Sequence, residues 1–109
     1  MQLAFQDEKL RTLCESSIKA KRQFGESAAD ALQNRLADLR AADSLSTVVG
    51  LGLGKIVADV PSRIEISLGD GCVMVASPNH RPEPRLETGE LNWHQVTRLK
   101  ILSICRANQ

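Results

Sequence analysis

The stretch that decides the fold runs from Asp70 to Pro78 and resumes, after a proline-rich insert, from Gly89 to Ile104. It reads DGCVMVASP and then GELNWHQVTRLKILSI. Both segments carry the apolar runs typical of buried strands, and Gly69-Asp70-Gly71 predicts a tight turn that closes a hairpin with the preceding strand. Residues 77–91 are rich in proline and charge and are predicted to form a loop.

Alternating apolar and polar residues mark the other strands. Ile64, Ile66 and Leu68 alternate with polar residues, which predicts a half-buried strand. A shorter strand begins at Lys55 and is limited by Pro61. The last strand spans 96–105, and a strict period of two places five of its residues on one face: Val96, Arg98, Lys100, Leu102 and Ile104.

The N-terminal part has helical periodicity. After a short strand at Leu3 to Phe5, one helix is predicted from an Asp7 cap to Phe24-Gly25. Its buried face would hold Leu10, Leu13, Cys14 and Ile18, and Lys21 falls in line with them. A second helix, capped by Ser27, would end near Asp43-Ser44 and bury Ala28, Leu32, Leu36 and Leu39.

These elements predict an α+β fold in a single domain over residues 1–109. Two antiparallel N-terminal helices would pack on a sheet of three to four mainly antiparallel strands. A further helical turn is expected over 45–49, followed by a glycine-rich connector at 49–55. The connector does not match the phosphate-loop pattern, because Ile56 follows Lys55 where serine or threonine would stand.

The composition of the chain argues against several classes of protein. The chain has 109 residues, 42% hydrophobic and 25% charged, with a formal net charge of +1. It lacks the apolar run of a membrane span and the overall basic excess common in nucleic-acid binders, so any RNA contact must come from a local patch. Charged residues at 7–9 argue against a signal peptide, and a cytoplasmic location is expected.

No metal or cofactor is expected. The cysteines, Cys14, Cys72 and Cys105, form no C-x-x-C pair and are interpreted as reduced structural thiols. The two histidines, His80 and His94, are too scattered along the chain to complete a zinc site.

The order of these segments resembles the RelE/HigB-like toxins of bacterial toxin–antitoxin systems, and within them the plasmid-maintenance killer-protein branch. The residues that carry the resemblance are the Asp70-Gly71 hairpin, Ala76-Ser77-Pro78, and Trp93 with Val96 leading into Leu99 to Ile104. The helical segments Glu8 to Glu15 and Leu36 to Ala42 extend it over most of the chain.

This resemblance implies a RelE-like fold and a toxin component of a type II system. Such toxins enter the ribosomal A site and cleave mRNA, the ribose 2′-hydroxyl attacking the adjacent phosphate with help from side chains on the sheet face. A cognate antitoxin protein neutralises them by covering that face. The partners implied are therefore an antitoxin, the ribosome and mRNA, with no membrane.

The chain departs from the family pattern at the usual catalytic positions. It has no tyrosine, Cys72 and Val73 open the strand where an aromatic residue and an arginine are usual, and the tail reads Cys105-Arg106-Ala107-Asn108. A ribosome-dependent mRNA endoribonuclease is therefore one interpretation. The alternative is a catalytically inactive relative of the same fold that acts as a protein-binding module.

Four residues remain as candidates for RNA contact. Lys100 matches a basic position in the family's last strand, with Arg98 two residues away on the same face. Arg63 lies on the polar face of its own strand, and each of the three could instead be a solvated surface charge. His80 is the candidate proton shuttle, because the unperturbed imidazole titrates near neutrality; an exposed loop histidine with no chemical role is the alternative.

Overall fold

The computed structural model describes residues 1–59, 62–69 and 71–106. Val60, Pro61 and Asp70, which entered the predicted strand limit and turn, lie outside the described residues, as does the tail 107–109. The helices are α1 (Glu8–Glu15), α2 (Ser17–Phe24), α3 (Glu26–Ala41) and α4 (Leu45–Gly50). The strands are β1 (Gln2–Phe5), β2 (Lys55–Asp59), β3 (Ser62–Gly69), β4 (Cys72–Pro78) and β5 (Arg98–Arg106), with a 3₁₀ turn at Trp93–Gln95.

The five strands form one mixed sheet in the order β1-β5-β4-β3-β2. The pairs β2–β3, β3–β4 and β4–β5 are antiparallel, whereas β1 runs parallel to β5. The α+β prediction is confirmed. The described part of the chain holds four helices and five strands rather than two and three to four, because the first predicted helix divides, a short helix precedes β2, and β1 joins the sheet.

The first predicted helix breaks at Ser16. Asp7 caps α1 as expected, accepting from the Leu10 amide at 2.8 Å. Ser16 leaves helical geometry at φ −111° and ψ 108°, and its side chain then caps α2 by accepting from the Lys19 amide at 3.3 Å. The break changes the helix phase, so Ile18 is 69% exposed and its predicted burial is wrong.

Helix α3 supplies the helical half of the core. Its predicted apolar stripe is confirmed, since four residues at helical spacing are fully or almost fully buried: Ala28, Leu32, Leu36 and Leu39. The predicted Ser27 cap is wrong, because the helix begins at Glu26 after Gly25 and has no side-chain cap. Gly25 stands at φ 89°, a left-handed conformation that glycine adopts without strain, and it ends α2 as predicted.

The sheet buries one face against the helices. The predicted hairpin is confirmed, with β4 central between β3 and β5. Residues of β4 alternate between buried (Cys72, Met74, Ala76) and half-buried (Val73, Val75, Ser77). The buried set joins the leucines of α3 in a single core, which leaves the other face of the strands toward solvent.

A β-bulge in β5 changes which residues share a face. Val75 lies opposite Ser103, but the next residue of β4, Ala76, lies opposite Ile101, so Leu102 is an extra residue. Ile104 therefore pairs with buried Met74 and packs against the core. The prediction that Ile104 shares a face with Arg98 and Lys100 is wrong, because the bulge reverses the alternation.

The predicted loop between β4 and β5 is anchored at both ends. Buried Ser62 at the start of β3 donates to Glu83 Oε2 at 3.1 Å, and Arg85 binds the same carboxylate oxygen at 2.6 Å. At the other end, the carbonyl of buried Val96 accepts from the Leu45 amide at 2.9 Å. These contacts give a long loop a fixed position beside the sheet end that begins β3 and β5.

Candidate functional site

The sheet face that turns away from α3 is called here the open face. Its described side chains come from β2, β3, β4 and β5: Lys55, Arg63, Glu65, Ser67, Val73, Val75, Ser77, Lys100 and Ser103. All of them are exposed or half-buried, whereas most of their neighbours along each strand belong to or pack against the core. An extended ligand could therefore lie across the strands here without any helix moving.

One cross-strand row on the open face is basic. Ser77 lies opposite Lys100, and continuing the β3–β4 register one step beyond Ile64 and Ala76 brings Arg63 opposite Ser77. Arg63 and Lys100 are thus two strands apart, about 10 Å at the backbone. Two long cationic side chains flank a hydroxyl, an arrangement suited to adjacent phosphate groups.

The next row along the open face is nearly neutral in charge. Glu65 lies directly opposite Lys55, so a carboxylate and an ammonium face one another across β2 and β3. The row continues through Val75 to Ser103. The positive field on this face therefore concentrates in the row of Arg63 and Lys100.

Arg98 extends the basic character toward the end of the sheet. It precedes Lys100 by two residues, is exposed, and pairs with Gln2 of β1. Its carbonyl accepts from the Asn79 amide at 2.9 Å, which joins the chain leaving β4 to the chain entering β5. Arg98 also lines a surface hollow with Arg40 and Asp43, so it lies at the rim of the open face.

His80 is held at this same end of the sheet. Its Nε2 accepts a hydrogen bond from the Thr97 amide at 3.1 Å. Because Nε2 accepts this hydrogen bond, the single ring proton of the neutral imidazole is assigned to Nδ1. In this state the ring can donate a hydrogen bond through Nδ1, and neither of its nitrogens is free to accept a proton. The four candidates from the sequence, Arg63, His80, Arg98 and Lys100, thus meet where β3 and β5 begin and β4 ends.

Arg85, another basic residue of the loop, is already engaged. Arg85 forms an ion pair with Glu83 at 2.6 Å and donates to the Gly89 carbonyl at 2.7 Å. It therefore stabilises the loop rather than presenting charge to a ligand.

Trp93 does not belong to the buried core. It is 39% exposed and lines a groove of about 440 Å³ together with Ile56, Leu86 and Leu91. Leu91 and Val96 supply the buried contacts instead. His94 also lines this groove, whose lining includes neither Arg63 nor Lys100.

Cys14 and Cys72 fit the structural role expected for the cysteines, whereas the Cys105 side chain lies outside the described part of the structure. Cys14 and Cys72 are both buried, and burial raises the pKa of the Cys14 thiol from 9.0 to about 11. A thiol that stays protonated is a poor nucleophile. In the part of the chain that the structure describes, no three side chains of metal-binding type converge where they could hold an ion.

Sequence reasoning missed two features of the molecular surface, one on the open face and one on the helical side. Ser77 attracted no attention, because only the strand register shows that it lies between Arg63 and Lys100. The residues that line a groove between α1 and α2 were also missed, since they belong to what was predicted as one continuous helix. Local patterns contain no signal for either.

None of the described helices is long and apolar enough to cross a bilayer. Comparison of the chain with protein-family models, with curated proteins and with solved structures found no match. Function is therefore inferred from the geometry of this chain.

Proposed function

We propose that this chain is the toxin-like component of a type II toxin–antitoxin system and that it contacts mRNA on the ribosome through the open face. The observation that carries the proposal is the cross-strand row in which Arg63 and Lys100 flank Ser77. Arg98 and His80 lie at the same sheet end. A cluster of cations on an otherwise neutral protein is the local patch that RNA contact requires.

Each side chain has a distinct part in the proposed mechanism. Arg63 and Lys100 would bind neighbouring phosphates and offset the charge that develops on phosphorus oxygens when the 2′-hydroxyl attacks. Ser77 would donate a hydrogen bond to one of these oxygens. His80, neutral with its proton on Nδ1, would donate a hydrogen bond to the leaving oxygen, while solvent water would take the 2′-hydroxyl proton and supply the proton that the leaving oxygen needs.

A RelE-like arrangement of the fold belongs to the same proposal. Support comes from the parallel pairing of β1 with β5 and from the position of all the described α-helices between β1 and β2, where they cover one face of the sheet and leave the other open. The cognate antitoxin would inhibit by covering the open face, and its contact would compete with RNA.

A second candidate function is a catalytically inactive module of the same fold that binds a partner protein. Two observations favour it. The Nε2 of His80 is already occupied by the Thr97 amide, and the described residues of the open face include neither histidine nor tyrosine. Under this function the basic row would bind acidic groups of the partner and cut nothing.

Induced expression in a bacterium tests the first function. Growth is followed while mRNA 5′ ends are mapped across translated regions, comparing the wild type with Arg63→Ala/Lys100→Ala. The wild type should arrest growth and produce new 5′ ends at fixed positions within codons, and the double variant should produce neither.

Lys21→Ala is the matched control, since Lys21 is an exposed cation on α2, away from the open face. It should behave as the wild type does. Wild-type expression without arrest or cleavage would exclude the nuclease and leave the binding module, whereas arrest that survives in the double variant would exclude the basic row as its cause.

A further inference from the structure

A second basic surface lies on the helical side of the molecule, in a groove of about 540 Å³ between α1 and α2. Its lining is Lys9, Thr12, Leu13, Lys19, Arg22 and Gln23. We propose that this groove binds an acidic, amphipathic segment of a partner protein. The inference is independent of the function proposed for the open face, because the two surfaces share no residue.

The groove is a consequence of the helix break at Ser16. Each helix contributes three residues at positions i, i+3 and i+4, which is one continuous helical face. Those faces are Lys9 to Leu13 on α1 and Lys19 to Gln23 on α2. A single straight helix presents a convex surface, so these residues can line a groove only because the chain is broken into two helices at Ser16.

The charge of the groove is positive and not neutralised from within. Three of its six lining residues, Lys9, Lys19 and Arg22, are cationic and none is acidic. Within the described residues these three form no ion pair, whereas Arg11 on the adjacent surface is paired with Glu15 at 3.7 Å. Like charges gathered around one hollow repel each other, so an anionic occupant would relieve that repulsion.

The apolar part of the surface favours a peptide over a nucleic-acid backbone. Half-buried Leu13 contributes an apolar side chain to the lining, and Ile18, 69% exposed, lies one helical turn from Arg22 on the same side of α2. A peptide segment with carboxylates and an apolar side chain could cover Ile18 with the apolar side chain and at the same time form ion pairs with the cations of the groove. A sugar–phosphate backbone would leave Ile18 in water.

The exposure of the lining favours an extended occupant. Every lining residue except Leu13 is exposed, so a small anion would remain largely solvated and bind weakly. A helical segment laid along the groove could engage all three cations and exclude water from them.

Fluorescence anisotropy tests the proposal with two labelled probes and the full chain. One probe is a synthetic amphipathic helix with glutamates on one side and leucines on the other; the second is a short single-stranded RNA. The peptide should bind the wild type. Lys19→Glu/Arg22→Glu should weaken peptide binding by about tenfold or more, and Ile18→Ser should weaken it severalfold.

Lys21→Glu is the control for charge reversal, because Lys21 is an exposed cation on the same helix that does not line the groove; it makes half the charge change of the double variant. It should leave peptide affinity within about twofold. Circular dichroism would show whether Lys19→Glu/Arg22→Glu is folded. If it is not, Lys19→Ala/Arg22→Ala replaces it in the comparison with the wild type.

Three results would overturn the proposal: no peptide binding by the wild type, equal losses in the groove variant and in Lys21→Glu, or groove-dependent binding of the RNA but not of the peptide. The first two would exclude a specific site. The third would assign the groove to nucleic acid.

Discussion

The Thr97 backbone amide donates a hydrogen bond to the Nε2 of His80 over 3.1 Å. This bond joins the residue that precedes β5 to the first residues of the long loop after β4, beside the Asn79–Arg98 backbone bond at 2.9 Å. His80 thus has a structural role as well as its proposed chemical one.

Replacing His80 should therefore reduce stability as well as any RNA cleavage. His80→Ala removes the acceptor and is expected to lower the free energy of unfolding by about 0.5–1 kcal/mol, since the bond is near the surface. Urea unfolding would measure it. His80→Gln retains an acceptor oxygen on a side chain of similar length and should lose less; equal losses in both variants would mean that the hydrogen bond is not the cause.

Gly54 lies close against β3. A Cβ built there would lie 3.0 Å from Ile66 Cγ1 and 3.3 Å from the Glu65 carbonyl oxygen, so these atoms would have to move by a few tenths of an ångström. Gly54→Ala should lower the free energy of unfolding by roughly 1–3 kcal/mol.

Gly50→Ala is the control for that substitution. No atom would lie within 4 Å of a Cβ at Gly50, which ends α4, so alanine should be neutral or slightly stabilising. Urea denaturation of the two variants distinguishes a steric effect from a general glycine effect. Similar midpoints would rule out the close approach of Gly54 to β3.

The buried Cys14 thiol predicts a loss of stability at alkaline pH. Burial raises its pKa from 9.0 to about 11, with a smaller opposing effect of Arg40. Between these values the folded chain keeps the thiol proton and the unfolded chain releases it, so the free energy of unfolding falls as pH rises. The contribution is full below about pH 9 and declines by up to about 1.4 kcal/mol per pH unit above it.

Cys14→Ala isolates this contribution from the lysines that titrate in the same range. Urea unfolding from about pH 8 to about pH 10.5 should show a flatter pH dependence for the variant than for the wild type. Parallel curves would show that Cys14 is not the group responsible.

The basic row predicts a change in the salt dependence of RNA binding. If Arg63 and Lys100 each neutralise one phosphate of a single strand, Arg63→Ala/Lys100→Ala should reduce the slope of log affinity against log salt by roughly 1.4. Anisotropy titrations of a short RNA at several salt concentrations give both slopes. Lys55→Ala is the comparison on the same face, because Lys55 lies opposite Glu65 and should change the slope less. Equal slopes for wild type and double variant would place the phosphate contacts elsewhere.

The elements predicted well from the sequence are those with a local cause. The stripe from Ala28 to Leu39 repeats at the helical period, and Ile64, Ile66 and Leu68 repeat at the strand period. Both sets are buried, because backbone geometry alone decides which residues share a face of a regular element. The β3–β4 hairpin followed from the glycines at 69 and 71, which stand at φ 81° and 74°.

Predictions failed where a helix or strand is interrupted along its length. Ile18 continues the stripe of Leu10 and Cys14 in sequence, yet the break at Ser16 turns it to solvent so that Ala20 and Phe24 can be buried. In β5 the extra residue Leu102 turns Ile104 toward the core. A prediction from sequence periodicity assumes that the helix or strand is continuous, so it cannot anticipate the break at Ser16 or the bulge at Leu102.

The sequence by itself determined the α+β class, the turns, and the basic residues available for the open face: Arg63, Arg98 and Lys100. Only the tertiary structure decided that Arg63 and Lys100 lie on either side of Ser77 and that His80 is held at the same end by Thr97. The physical reason is that periodicity is set by neighbours within one element, whereas register between strands is set by packing against the rest of the molecule.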